Sequence, residues 1–227
     1  MQIQLEENYG VLSDIQIIDE MKKEHVFIYP FEKKNLSNTS YDVTLGPNYY
    51  RATTGSHNVE PSYLIPWDDE SVHQYWGQPQ YARTVNETTE KLLKLPIGAQ
   101  YILLEPGELI LAHTNEFIGT LDHVTTMMKA RSSMGRVGIS VCKDAGWGDV
   151  GYYNRWTMEI SNFSQSRIPL VVGSRVAQIV FFYTGNVSRL YTETANGMSG
   201  AYQTHYKNVE KIIDRWVVSD MLPRYRF

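Results

Sequence analysis

Arg131, Ser132, Ser133 and Arg136 fall within one six-residue stretch, Arg131-Ser132-Ser133-Met134-Gly135-Arg136. Guanidinium forks flanking hydroxyls match the oxygens of a phosphate group. Gly135, beside the second arginine, lets a ligand approach the backbone closely, and an apolar strand leads into the cluster. The competing reading is a strand-to-helix junction whose serines cap backbone amides. Downstream lie two carboxylates ten residues apart, Asp149 and Glu159. Asp149 sits in Gly148-Asp149-Val150-Gly151-Tyr152, either as a turn residue or as a carboxylate beside a sugar or a reacting water. Tyr152 would pack on a sugar face or in the core. Strand alternation sets Trp156, Met158 and Ile160 on one face, and Arg155, Thr157, Glu159 and Ser161 on the other. Glu159 is then a solvent-facing partner of Arg155 or a general base lining a cavity. A phosphate grip with a base equips an enzyme for a phosphorylated small molecule.

Several chemistries are excluded by residue type. Zinc-dependent deamination needs a His or Cys with a Glu two residues on, followed by Pro-Cys-x-x-Cys. A chain whose only cysteine is Cys142 cannot supply it. Walker-type and dinucleotide-binding glycine loops are absent. Cys142 itself, alone in an apolar strand, reads as core packing rather than as a nucleophile.

The elements that must position these groups are short and mostly extended. Strands are expected at 26–30, 40–46, 100–104, 109–113, 124–129, 138–142, 155–161, 170–172 and 177–182, separated by Gly and Pro. That spacing implies a mainly β barrel or sandwich. Ser13-Asp14 ahead of Ile15, Ile17, Ile18 and Met21 predicts a short capped N-terminal helix, and 207–218 is the other helical candidate. Residues 52–90 read as an insertion, folded on itself through Trp67, Tyr75 and Trp76. With 227 residues, 42% apolar content and net charge −4, the chain fits one domain with trimmings. A sequence pI near 5.9 argues against a general nucleic-acid surface. The polar, acidic N-terminus is not a signal peptide, and no apolar run approaches a membrane span, so a cytoplasmic protein with no membrane partner is expected. On that expectation the five Asn-x-Ser/Thr sequons are coincidental.

Taken in order, the motifs resemble the dCTP deaminase branch of the dCTP deaminase/dUTPase superfamily. The likeness runs from about residue 10 to about residue 204. Leu12-Ser13-Asp14 with Pro30-Phe31 is similar to the family's N-terminal segment. Ser40-Tyr41-Asp42-Val43-Thr44-Leu45-Gly46 resembles its Ser-x-Asp-x-x-Leu-Gly strand. Leu104-Glu105-Pro106-Gly107-Glu108 with Thr114 and Glu116 resembles its Pro-Gly-Glu segment, and Arg131 to Arg136 its phosphate motif. The resemblance implies a distorted β-barrel or jelly-roll-like, dUTPase-type fold with a short N-terminal helix. It implies a homotrimer, with a hexamer also open, and active sites between subunits. Residues 1–204 would form that domain, with its insertion at about 52–90, and 205–227 a C-terminal extension. There Ile212, Ile213, Trp216 and Val217 would form a helix packing on a neighbouring subunit.

Roles follow from the same resemblance. Arg131, Ser132, Ser133 and Arg136 would hold the triphosphate, with Mg2+ carried on the phosphates and no zinc. Asp149 would contact the deoxyribose. Ala145, Trp147 and Tyr152 would line the sugar and base pocket, and Thr157, Met158 and Glu159 would face the base. Glu159 would activate the water that attacks C4 of cytosine. Tyr191 and Gln203 would complete the nucleotide site, Gln203 within a flap over 195–204. The chain departs from the deaminase pattern at Cys142 and Trp147, where relatives often carry His and Arg. It departs again at Thr194 and Met198, where the flap carries Lys and Gln. The leading expectation is deamination of dCTP to dUTP and ammonia. The alternative is a dUTP diphosphatase, or both activities together, for which Asp149 with Tyr152 resembles the Asp-x-x-Tyr motif. A third is a nucleotide-sensing protein without turnover.

Overall fold

The computed structural model describes residues 10–52, 63–192, 200, 202 and 209–225. Its elements, in chain order, are α1 (Asp14–Lys22), β1 (Val26–Tyr29), β2 (Tyr41–Arg51), α2 (Asp69–Trp76), β3 (Gln80–Tyr81), β4 (Arg83–Thr84), α3 (Glu87–Leu93), β5 (Gln100–Leu104) and β6 (Leu109–Thr120). They continue with β7 (Val124–Ala130), α4 (Ser132–Arg136), β8 (Ile139–Ser140), β9 (Trp147–Gly148), β10 (Tyr153–Asn162), β11 (Ile168–Val171), β12 (Arg175–Tyr183) and α5 (Val209–Arg215). The mainly β expectation holds. The principal sheet runs β8-β10-β6-β2-β12-β7-β9, with β1 added to β6 and β3 to β2. A second sheet runs β11-β5-β4. All pairings are antiparallel. Among the described residues no helix is long and apolar enough to cross a membrane.

β6 organises the molecule. β10 pairs along one edge of it, and β2 and β1 share the other. Its inward side chains Ile110, Ala112 and Ile118 join Tyr41, Val43, Leu45, Met158, Ile160, Ile179 and Phe181 in one core. The β10–β6 register slips between Arg155 and Thr157, where Arg155 faces Phe117 but Thr157 faces His113. Residues 114–116 of β6 therefore bulge opposite Trp156, and a bulge bends the strand and frees backbone groups for other partners. The Trp156 amide donates to the Thr114 hydroxyl at 3.0 Å in place of a ladder carbonyl.

α1 starts as its sequence requires. Ser13 and Gln16 form a reciprocal capping box, and Ile17 is fully buried. Ile15, expected on the same apolar face, is exposed. Two further helices lie where irregular chain was expected, and a third forms the strand-to-helix junction read as the alternative at 131–136. α2 and α3 fall in or next to the 52–90 insertion, and α4 carries the phosphate motif. In α2 the buried pair Val72 and Trp76, four residues apart, is too short a pattern to register as periodicity.

The insertion and the C-terminal extension both pack on the barrel of their own chain. The described part of the insertion, from residue 63 on, packs on the rest of the chain as well as on itself. Val72 and Trp76 pack on Tyr50 and Leu111 of the barrel and on Met221 and Leu222 of the C-terminal extension. Trp67 meets the ring of Tyr225 at 6.0 Å, and Tyr75 meets that of Trp76 at 5.1 Å. The extension, in turn, buries its apolar face on its own chain. Ile212 packs with Phe117 and Tyr153, and Ile213 and Trp216 lie against the same cluster. Of the expected helix face only Val217 is left outward.

Candidate active site

β10 supplies the centre of the site. Its alternation holds as expected, with Trp156, Met158 and Ile160 buried and Arg155, Thr157 and Glu159 partly open. Met158, expected at the nucleotide, is a core residue whose side chain points away from Thr157 and Glu159. Thr157 and Glu159 line a cavity of about 250 Å³ with Ala145, Trp147, Asp149 and Tyr152. Oε2 of Glu159 is buried there without a hydrogen-bond partner. Burial pushes the Glu159 carboxyl up, with its own backbone amide and Lys143 acting the other way. The pairing with Arg155 that would have made Glu159 a surface residue does not form. The Arg155 guanidinium donates instead to the carbonyls of Thr114 and Asn115, at 3.0 and 2.8 Å, which the β6 bulge frees.

Asp149 reaches the same cavity from the turn between β9 and β10. The backbone before it is fixed by the Thr125 and Thr126 hydroxyls, which donate to the Gly148 carbonyl at 2.8 and 3.2 Å. A side chain at Gly148 would lie 2.3 Å from Thr126 Oγ1 and 2.4 Å from the Trp156 ring, so only glycine fits. Tyr152 meets Trp156 and Tyr191 edge-on at 5.4 Å each, and burial raises its phenol pKa. Tyr152 is thus both core-packed and cavity-lining. Trp147 is exposed and stacks on Phe182 at 6.4 Å. Cys142 is buried in the core, and burial raises its thiol pKa, which leaves it protonated.

The remaining wall was not anticipated. Trp216 and Asp220, from the C-terminal extension, line the cavity with Asn154, Arg155 and Tyr202. Arg155 lies 4.6 Å from the Phe117 ring centre and 5.0 Å from that of Trp216, which spreads its charge over two aromatic faces. Trp216 also sits 4.7 Å from the His113 ring. His113 fills the space over Gly46, where a side chain would lie 2.0 Å from the imidazole. Buried, and next to Arg155, His113 is held neutral with a pKa pushed down to about 4. The only sequence signal for this wall was the apolar spacing of Ile212, Ile213 and Trp216.

The phosphate motif lies in a different hollow. Arg131 caps α4 at its N-terminus without a side-chain cap bond, and Ser132 and Ser133 are exposed in its first turn. The capping alternative for these serines is therefore not realised. Arg131 and Ser133 line an open groove of about 1010 Å³ with Lys34, Arg175, Glu32 and Glu116. Asp42 of β2 fixes the arginines: its Oδ2 accepts from Arg131 at 2.8 Å and from Arg175 at 3.2 Å. Ser132 and Arg136 are exposed on α4 and do not line the groove. Among the described residues Arg155 alone borders both groove and cavity. Tyr191 lines the cavity, and Gly200, in the expected flap, packs against its ring. Gln203, Thr194 and Met198 lie outside the described residues.

The chain is similar to known proteins over most of its length. The family model described as dCTP deaminase-like matches residues 11–184. A protein of Methanosphaerula palustris named dCTP deaminase, dUMP-forming, is 27% identical over 181 residues, spanning 80% of this chain and 85% of its own. One of the same name from Acidothermus cellulolyticus is 32% identical over 176 residues, spanning 78% and 81%. The crystal structure of 2′-deoxycytidine 5′-triphosphate deaminase from Agrobacterium tumefaciens shares the fold. Its TM-score is 0.51 at 20% identity, over 78% of this chain and 48% of that one.

Proposed function

This chain belongs to the dCTP deaminase-like family, and we propose that it hydrolyses the 4-amino group of dCTP with Glu159 as the proton-transfer group. The observation that carries this reading is the unpartnered Oε2 of Glu159, buried in a cavity beside Thr157 and Asp149. A carboxylate whose pKa is raised by burial is a stronger base toward water than an exposed one. The hydroxide formed adds to C4. Glu159 then returns its proton to the departing amine, so that dCTP and water give dUTP and ammonia. Thr157 would meet the base edge, and Asp149 the deoxyribose, with Tyr152, Ala145 and Trp147 around them. Tyr191 would lie near the nucleotide, and Gln203 would close the site from the flap.

Arg131, Ser132, Ser133 and Arg136 would hold the triphosphate. In one chain Arg131 and Ser133 line the groove while Glu159 lines the cavity. That separation supports a homotrimer in which one subunit's phosphate motif completes another's cavity. Magnesium would arrive on the triphosphate and screen its charge. Among the described residues the one cluster of His and carboxylate groups within ligand reach of one another is Glu20, His25 and His123, outside both hollows. The ion's ligands would then be phosphate oxygens and water.

The relatives' name carries the product one step further than the sequence reading placed first. Proteins called dUMP-forming, 27–32% identical to this chain, favour a second hydrolysis here, of dUTP to dUMP and diphosphate. Asp149, on the same cavity as Glu159, is the carboxylate available to orient that water. Incubating the purified protein with dCTP and with dUTP, each with magnesium, tests both steps. Ammonia with dUMP and diphosphate is the expected result. Ammonia with dUTP alone would remove the second step, and tight nucleotide binding without product would favour a sensing protein.

A further inference from the structure

Away from the cavity, the end of α1, the turn into β1 and the turn between β6 and β7 bring three potential ligands together. Glu20 is buried, while His25 and His123 are 28% and 26% exposed. The two oxygens of Glu20 are divided in their duties. Oε1 accepts from Lys23 at 3.0 Å and from the Tyr183 hydroxyl at 3.1 Å. Oε2 faces both imidazoles, 2.7 Å from His25 Nδ1 and 3.2 Å from His123 Nε2. The rings stand edge to face with centres 4.7 Å apart. Burial alone would raise the Glu20 carboxyl, but hydrogen bonds from His25, Lys23 and Tyr183 outweigh it and keep the group ionised.

We infer that Glu20, His25 and His123 form a binding site for a first-row transition-metal ion of the zinc type, separate from the nucleotide site. Three arguments carry it. Imidazole nitrogens with one carboxylate oxygen are a donor set that suits zinc. Tetrahedral bonds of about 2.0–2.1 Å space ligand atoms about 3.3 Å apart, so the 3.2 Å contact fits and the 2.7 Å contact needs to open by roughly half an ångström. A supporting carboxylate is also in place. Asp122 Oδ2 lies 2.7 Å from His123 Nδ1, which puts the proton there and turns the Nε2 lone pair toward Glu20. The partial exposure of both rings leaves a fourth position open to water.

The ion would replace the proton that His25 Nδ1 shares with Glu20, so its affinity falls as pH drops. Lys23, which also pairs with Asp19 at 2.8 Å, opposes the ion's charge, while Asp19, Glu20 and Asp122 together outweigh that ammonium. The site would tie α1 and the His25 turn, through Glu20, His25 and His123, to the barrel strands that flank Asp122 and Tyr183. It would act on stability and not on the deamination step.

The test uses the full chain, free of any histidine tag and stripped of metal by chelator, titrated with Zn2+ by calorimetry and with Co2+ by visible absorption. One ion per chain is expected, with the strong visible band of tetrahedral Co2+ and a raised Tm. Asp122→Asn should weaken binding about 10–100-fold. His25→Gln and His123→Gln, which keep hydrogen-bonding capacity, should abolish it without lowering the metal-free Tm by more than a few degrees. Absence of a bound ion, a pale octahedral Co2+ spectrum, or unchanged affinity in both glutamine variants would overturn the inference and leave a proton-only network. The spectrum of the unmutated chain decides the matter should a variant fail to fold.

Discussion

Glu159 and His113 are both buried titratable groups, and burial moves them in opposite senses because it always disfavours the charged form. For Glu159, whose native pKa is raised, the folded state holds more protons above the usual carboxylate range. Stability therefore falls as pH rises through that window. Glu159→Gln removes this loss. It is expected to lower deamination by about 10²–10⁴-fold while nucleotide binding persists and the neutral-pH Tm does not drop. Ammonia release and thermal melting measure the two halves, and undiminished turnover would sink the assignment. For His113 the native pKa is about 4 against 6.5, so its neutral form contributes stability that is present above about 6.5 and lost as pH falls toward 4. The gap corresponds to roughly 3 kcal/mol. Urea unfolding near pH 7 and near pH 5 should show a drop in the wild type that His113→Gln shows less steeply.

The β6 bulge and the turn after β9 are the elements that shape the cavity, and of the two only the turn had a sequence signature, in Gly148 and Gly151. β10 was legible because strict alternation of apolar and polar residues reports a half-buried strand. A bulge changes register without changing that alternation, so the release of two carbonyls to Arg155 could not be read. Gly148 marks the turn. Gly148→Ala drives a methyl into Thr126 and the Trp156 ring, and overpacking of this kind costs typically 1–3 kcal/mol. Chemical denaturation should show that loss together with a weaker Asp149-dependent reaction. Asp42 performs the corresponding task for the groove lined by Arg131 and Ser133. Asp42→Asn frees Arg131 and Arg175, which are partly exposed, so about 1 kcal/mol of stability is at stake. The larger expected effect is a several-fold rise in KM for dCTP, and an unchanged KM would separate Asp42 from phosphate binding.

At the scale of the molecule, the chain beyond the family match folds back to complete the cavity. Trp216 and Asp220 line it, and Ile212, Met221 and Leu222 are buried on the barrel. Trp216→Ala should raise KM by up to about tenfold, the equivalent of one cation–π contact, and truncation after residue 204 should lower Tm and abolish turnover. Steady-state kinetics and melting curves check both. The separation of groove and cavity predicts complementation. Arg131→Ala and Glu159→Gln chains, each inactive alone, should regain turnover when refolded together as a mixed trimer. Failure to regain it would place both halves of the site in one subunit.

The sequence by itself determined the family and the fold class. The Arg131–Arg136 cluster, the alternation through Glu159 and the ordered motifs depend on residue types at short spacings, which local geometry alone reads. Tertiary structure decided what those residues experience. Glu159 lost Arg155 as a partner because the β6 bulge, far from β10 in sequence, gave the arginine the Thr114 and Asn115 carbonyls as acceptors. Met158 turned from ligand to core by the same alternation that exposed its neighbours. The insertion and the C-terminal extension met each other, and Trp216 met the cavity, because buried apolar area is sought wherever the chain can reach it. Such contacts between distant segments leave no periodic trace in a single sequence.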